Sequence, residues 1–312
     1  PYVVGIDIGG TNTVFGVVDA RGTILYSSSI KTGKYTDIDD YVSELANGLK
    51  LVIDQAGGVD KIKGIGVGAP NGNFFNGCIE FAPNLPWKGK IPLAQLISEK
   101  LGGVPVALTN DANAAAIGEM TYGAARGMKD FIVITLGTGV GGGIIIDSKI
   151  IAGYHGAGGE IGHACVNHNE VRPCNCGNHG CLEQYASATG IVRVANDILE
   201  ESKEDSKMRH VEKLSAKNVL DFYKEGDALA VKTMEKVGDI LGSTLAVFAC
   251  VTDPEAIVIG GGVSKAGKPL TDCIQKYYQK YAFPSCKSTP IILASLGNDA
   301  GIYGAARMVI KD

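Results

Sequence analysis

TNDANAAAIGE (109–119) is the stretch on which the reading of this chain turns. Just before it, VPVAL (104–108) is a short apolar run with the length and composition of a buried strand. After it, an alanine-rich run favours helix. An Asn–Asp pair therefore stands where a strand turns directly into a helix. Near the C-terminus PIILASL (290–296) is followed by GNDAGIYGAA (297–306), a second Asn–Asp pair in the same setting. Two carboxylates, Asp111 and Asp299, occupy matching junctions.

Working outward, the segments around each junction also correspond. Tyr2–Ile8, TVFGVVDA (13–20) and TILYSSSI (23–30) read as a three-strand meander. Residues 38–56 carry Ile38, Val42, Leu45, Leu49, Val52 and Ile53 at helical spacing, and KGIGVGAP (63–70) is a buried strand. A helix near 92–101 precedes the first junction. In the second half DFIVITLG (130–137) matches the first strand, GVGGGIIID (139–147) the second, and EAIVIGGGV (255–263) takes the place of KGIGVGAP. The order implies a duplicated α/β unit, with parallel strands covered by helices. Residues 152–184 interrupt the second unit with Gly, His and Cys. Residues 185–250 read as helices, with a polar surface loop, ESKEDSKMRH, at 201–210.

At 312 residues the chain is long for one core and suggests two lobes. Charged residues make up 20%, and the net charge is −4, which gives no basic surface for nucleic acid. No apolar run approaches the roughly 20 residues that span a bilayer, and the N-terminus opens in a strand with no signal-peptide pattern. A cytoplasmic protein is expected. In that setting, eight Cys in a chain this long point to metal binding, where they cluster, before disulfides.

Two phosphate motifs are excluded. Gly137, Gly139 and Gly142 satisfy G-x-G-x-x-G, but a strand follows where a dinucleotide site needs a helix N-terminus. GVSKAGKP (262–269) lacks the P-loop hydroxyl, because Pro269 takes the Ser/Thr position. A different device fits. DIGGT (7–11) and LGTG (136–139) are tight turns between antiparallel strands at equivalent places in the two halves. Successive N–H groups of such turns form anion-binding nests, and Thr11 and Thr138 add hydroxyl donors. Two such turns suit a triphosphate, with Asp7 holding Mg²⁺ through water. Gly9, Gly10, Asn12 and Gly139 lie in or beside these turns, and Gly261 and Gly262 in IVIGGGVS permit a third close backbone approach.

His163 is followed by ten residues and then Cys174-x-Cys176-x4-Cys181. That is a Cys₃His set, a common closed tetrahedral zinc site, with His155, His168 and His179 competing for the fourth position. Four protein ligands leave no open coordination position, so the zinc is read as structural.

DIGGTN, GAPNG, TNDANAAAIGE, LGTGVGGG, GEIGH and CNCGNHGCLE, in this order, resemble the ROK sugar kinases, members of the actin-like, ribonuclease-H-like ATP-binding superfamily. The resemblance covers essentially the whole chain, and EIGH followed by CxCGxxGCxE is its most specific part. It implies a duplicated ribonuclease-H-like fold in two lobes with an interlobe cleft, the small lobe at 1–110 plus 299–312 and the large lobe at 111–298. It implies transfer of the γ-phosphoryl group of ATP to a hexose hydroxyl. Glucose is the first choice, and N-acetylglucosamine or N-acetylmannosamine is the alternative. The resemblance makes Asp111 the base and Asn110, Glu160, His163 and Glu183 sugar contacts, with His163 also a zinc ligand beside Cys174, Cys176 and Cys181. Asn84 and Trp87 in APNLPW are further candidates to close the sugar pocket, with a core or domain-edge place the equal reading for Trp87. A homodimer is expected. Asp299, with no sugar motif nearby, is read as a helix N-cap. A sugar-responsive regulator is the rival reading. Regulators of this family carry an N-terminal helix-turn-helix module, for which a chain opening on the phosphate strand leaves no room.

Overall fold

Two five-stranded sheets of identical topology organise the chain in the computed structural model, which describes residues 1–310. The first comprises β1 (Tyr2–Ile8), β2 (Asn12–Val18), β3 (Ile24–Lys31), β4 (Ile62–Ala69) and the strand Val106–Asn110, in the spatial order β3, β2, β1, β4, Val106–Asn110. Between these strands lie α1 (Ile38–Gln55) and α2 (Leu93–Lys100), and a small sheet of β5 (Gly72–Asn73), β6 (Cys78–Glu80) and β7 (Lys90–Ile91) that the sequence pattern did not announce. The strand Val106–Asn110 is thus β8, and it runs into α3 (Asp111–Tyr122).

The second sheet repeats the plan. β9 (Phe131–Leu136), β10 (Val140–Ile146) and β11 (Lys149–Ile150) form the meander. After α4 (Glu183–Ala186), α5 (Ala188–Glu201), α6 (Ala216–Lys224) and α7 (Ala228–Thr252) come β12 (Ala256–Gly260), α8 (Lys268–Tyr281), β13 (Ile291–Leu293) and α9 (Ala300–Arg307). The order is β11, β10, β9, β12, β13. In both sheets the first two strands are antiparallel, and the first pairs in parallel with the fourth. The duplication expected from the sequence is therefore present strand for strand.

The chain forms two compact units, Pro1–Gly127 with Ile150–Gly159 and Ser295–Asp312, and Met128–Lys149 with Glu160–Ala294. They divide after α3, not before Asp111. The reason is packing: α3 and α9 touch through bare backbone. A Cβ at Gly304 would fall 1.6 Å from the Ala114 carbonyl oxygen, and one at Gly118 2.4 Å from that of Ala300. No side chain fits at either position, so the two helices that follow the two junctions belong to one unit. The insertion at 152–184 divides likewise. Residues 150–159 join the first unit, where Asn73 Nδ2 donates to the His155 carbonyl (3.3 Å), and 160–184 join the second.

Each unit has its own core. In the first, Ile6, Phe15, Leu45, Leu49, Ile53, Ile65 and Leu93 are sealed from water between the sheet and α1–α2. In the second, Ile132, Ile134, Leu182, Ile191, Leu241, Leu245 and Ile259 pack beneath α5–α8. Full burial of such side chains contributes about 1.5–3 kcal/mol each. Trp87 belongs to the first core: it is buried, its Nε1 donates to the Tyr35 carbonyl (3.1 Å), and its ring lies against Tyr41 with centroids 4.3 Å apart and planes tilted by 45°. Among the described residues no helix is long and apolar enough to cross a membrane.

Candidate active site

In the first unit the site residues gather at the C-terminal ends of β1 and β8. Asn110 has extended backbone (φ −71°, ψ 158°), and its side-chain oxygen accepts the Asn113 N–H at 2.7 Å. That bond satisfies one of the orphan donors of α3, so Asn110 is the helix N-cap. Asp111 is then the first residue inside the helix. Its Oδ1 accepts the Ala112 N–H (2.9 Å), and the residue keeps surface exposed to solvent. Crowding of the carboxyl by protein raises its pKa above the ordinary carboxylate range, against the hydrogen bond from Ala112.

Asp7 closes β1. Burial first, and the charge of Asp111 second, push its pKa up to about 7. The turn after it is tight: Gly9 N–H donates to the Asn12 carbonyl (2.8 Å). Gly10, Thr11 and Asn12 are exposed. The Asn84 carbonyl lies 3.0 Å from where a Cβ would stand on Gly10, so the exposed loop bearing Asn84 approaches this turn closely and would have to give way to a side chain there.

In the second unit the equivalent turn joins β9 to β10, closed by Gly137 N–H to the Gly139 carbonyl (3.0 Å). Its carbonyls are drawn away from solvent. Ala188 N–H donates to the Gly137 carbonyl (2.7 Å), and Thr189 Oγ1 donates to that of Thr138 (2.9 Å). Tied-back carbonyls are what an anion-binding turn needs, and of its N–H groups those of Gly137 and Val140 are taken by the Gly139 carbonyl and Glu183. Gly261, at φ +82°, lies against the end of β9, where a Cβ would meet the Leu136 carbonyl at 2.4 Å. Gly262 opens the 3₁₀ turn Gly262–Ala266. A strand, β10, follows Gly139 where a dinucleotide site would need a helix N-terminus.

Glu160 is exposed and precedes a 3₁₀ turn, Ile161–His163. Gly162 seats that turn on β10, with the Val140 carbonyl 2.0 Å from any Cβ. The ligand atoms of His163, Cys174, Cys176 and Cys181 lie within 4.8 Å of one another. His163 Nδ1 is 3.7 Å from Cys174 Sγ, and Cys176 Sγ is 3.6 Å from Cys181 Sγ. A tetrahedron with Zn–S bonds near 2.3 Å has S···S edges of about 3.8 Å, so the spacing fits that ion. The rival histidines are elsewhere. His168 Nδ1 faces Cys165 Sγ (3.4 Å), His155 meets Tyr154 edge to face and His179 is exposed.

The metal loop also has a polar brace that sequence reasoning missed. Arg172 pairs with Glu170 through Nε (2.9 Å) and with Asp197 through Nη2 (3.0 Å). Tyr185 Oη donates to Glu170 (2.7 Å), and Gln184 Nε2 to the Arg172 carbonyl (2.9 Å). Arg172 holds the Glu170 carboxyl well below the usual range. Glu183 begins α4, and its Oε2 accepts the Val140 N–H at 2.9 Å.

Asp299 differs from the expected cap. It stands at the N-cap position of α9 with helical backbone (φ −87°, ψ −10°) and makes no capping hydrogen bond. A short 3₁₀ turn, Gly297–Asp299, leads into α9 and replaces the extended approach that a capping side chain needs. Sequence reasoning also missed Glu119, the last residue of the opening stretch. It is fully buried, and its carboxylate accepts from Ala124 N–H (2.7 Å), Ser295 N–H (3.1 Å) and Leu296 N–H (3.0 Å). A glutamate in an alanine-rich run was the available signal.

A family model described as the ROK family matches residues 3–312. A glucokinase of Halalkalibacterium halodurans is 39% identical over 99% of this chain and 94% of its own length. A glucokinase of Thermotoga maritima is 34% identical over 98% of this chain and 96% of its own. The crystal structure of a ROK family glucokinase from Streptomyces griseus, in complex with glucose and AMPPNP, superposes with a TM-score of 0.82 at 33% identity, covering 99% of both chains. The duplicated sheets are those of the ribonuclease-H-like, actin-like ATPase fold that such kinases share. The chain belongs to the ROK family.

Proposed function

We propose that this protein is an ATP-dependent hexose kinase acting on glucose, forming glucose 6-phosphate and ADP. The observation that carries the chemistry is the division of labour at the first junction. Asn110 is the N-cap of α3, so the Asp111 carboxylate, one residue past the end of β8, spends only Oδ1 on the helix, on the Ala112 N–H. A sugar hydroxyl is a poor nucleophile until its proton leaves, and a carboxylate within hydrogen-bond reach serves as base. Asp111 takes the proton, the hydroxyl oxygen attacks the γ-phosphorus, and the bond to the β–γ bridging oxygen breaks, with ADP leaving. The raised pKa of Asp111 suits a base that must accept a proton at neutral pH.

The remaining assignments follow the same reading. The turns at Gly9–Asn12 and Thr138–Gly139, with Gly261 and Gly262, bind the nucleotide, and Asp7 would help hold, through water, the Mg²⁺ that accompanies ATP. That ion neutralises charge developing on the phosphates when bound. Asn84, Asn110, Glu160, His163 and Glu183 contact sugar hydroxyls. His163, Cys174, Cys176 and Cys181 hold one structural zinc, which orders a glycine-rich loop. Burial raises the Cys174 and Cys181 thiols, so binding the cation there releases protons. The protein works in the cytoplasm as a homodimer.

Initial rates of ADP release across glucose, mannose, fructose, N-acetylglucosamine and N-acetylmannosamine test the reading. The highest kcat/KM is expected with glucose. Preference for an N-acetylated hexosamine moves the substrate assignment, and no turnover with any sugar favours a sugar-responsive regulator.

A further inference from the structure

Glu183 lies between two features to which the reading above gives separate tasks. On one side is the metal loop. Cys181 is two residues earlier, its N–H donates to Gln184 Oε1 (3.0 Å), and Gln184 is anchored in turn to the Arg172 carbonyl (2.9 Å). On the other side is the turn of the second sheet. Glu183 Oε2 accepts the Val140 N–H at 2.9 Å. The same oxygen sits 2.3 Å from where a Cβ on Gly139 would be, so the carboxylate lies directly over the Gly139 backbone. The segment just after Glu183 grips the turn as well, through Ala188 N–H to Gly137 and Thr189 Oγ1 to Thr138. Ser187 Oγ donates back to the Glu183 carbonyl at 2.6 Å, which makes 183–189 one hydrogen-bonded piece.

We infer that Glu183 is a positioning residue for the nucleotide: its carboxylate holds the LGTG turn (136–139) in anion-binding shape, and filling the four-residue metal cluster tightens nucleotide binding through it. The inference rests on the reading of this turn as phosphate-binding. It adds a link between metal and nucleotide to a residue whose family counterpart is a sugar contact. The physical reason is local. The turn's own closing bond, Gly137 N–H to Gly139, leaves the exit into β10 to be fixed by whatever takes the Val140 N–H, and a charged acceptor does this more strongly than a neutral one. The segment bearing that acceptor begins at a metal-cluster cysteine. Metal that orders the loop therefore orders the turn.

The test is calorimetric titration of zinc-loaded protein with Mg·AMPPNP in the absence of sugar. If loaded wild type binds no nucleotide, the phosphate reading itself fails. If it binds, Glu183→Ala is expected to weaken binding about tenfold, the loss of one charge-assisted hydrogen bond, while keeping its zinc by elemental analysis. Glu183→Gln, whose amide oxygen still accepts from Val140, is expected to retain affinity within about twofold. Stripping zinc from wild type with a chelator is expected to weaken nucleotide binding, and stripping Glu183→Ala to add little, because contacts in one network are not additive. If Glu183→Ala folds poorly, the comparison of loaded with stripped wild type, and of both with Glu183→Gln, carries the test. Loaded Glu183→Ala binding as tightly as wild type, or stripped wild type as tightly as loaded, overturns the inference while leaving the phosphate reading intact.

Discussion

The Asp7 carboxylate rests against the backbone of Gly301: a Cβ at 301 would stand 2.4 Å from both Cγ and Oδ2 of Asp7. This contact joins the first strand to the helix that follows the second Asn–Asp pair. It gives GNDAGIYGAA a task distinct from that of TNDANAAAIGE. The first junction presents a carboxylate, and the second presents bare backbone to a carboxylate elsewhere.

Gly301→Ala is therefore expected to push Asp7 aside and raise the KM for Mg·ATP several-fold, with a smaller effect on the sugar KM. Coupled contacts deviate from additivity by about 0.5–3 kcal/mol. The double variant with Asp7→Asn should accordingly lose much less than the sum of the two singles, in steady-state kinetics with varied Mg·ATP. Strict additivity would mean that Gly301 matters only for helix packing.

Asp7 also sets a pH dependence of stability. Its folded-state pKa of about 7 exceeds the ordinary 3.8, so protonation favours the folded state. The stabilisation is complete below the ordinary value and is lost as pH rises through about 7. Its ceiling is a few kcal/mol, at about 1.4 kcal/mol per unit. Without Mg²⁺, wild type should lose more Tm between pH 5 and pH 8 than Asp7→Asn does. Parallel Tm curves for the two proteins over that range would contradict the account.

Removing the metal should act through the loop that carries Glu160 and Glu183. Cys176→Ser is expected to lose zinc and activity together, and chelation of wild type to raise the sugar KM. Elemental analysis of active wild-type protein should find one zinc per chain. Active protein without zinc would dispose of the structural role.

Much of this was legible in the sequence, because its signals are local. Glycine after a strand marks the turns at Gly9–Gly10 and Gly137–Gly139, and the spacing of Cys174, Cys176 and Cys181 marks the metal cluster. The duplication could be read because each half repeats a hydrophobic pattern that a sheet requires. What escaped depends on contacts between distant segments. Nothing near Gly301 announces that Asp7 lies on it, and nothing near Glu119 announces that it accepts from Ser295 and Leu296. Asp299 was misjudged because capping depends on backbone angles as well as residue type, and its φ and ψ are already helical. Trp87 was ambiguous because an aromatic residue serves core and ligand alike until its indole N–H finds its partner, here the Tyr35 carbonyl.

The most direct test of the central claim is kcat for Asp111→Asn beside Asp299→Asn, with glucose and Mg·ATP saturating. Asn matches Asp in shape, and the α3 cap belongs to Asn110, so folding should survive. General-base catalysis is worth typically 10²–10⁴-fold, and Asp111→Asn should lose about that much. Asp299, exposed and making no capping bond, should tolerate the same change with kcat nearly untouched. Comparable losses in both variants, or none in Asp111→Asn, would contradict the assignment of Asp111 as the base.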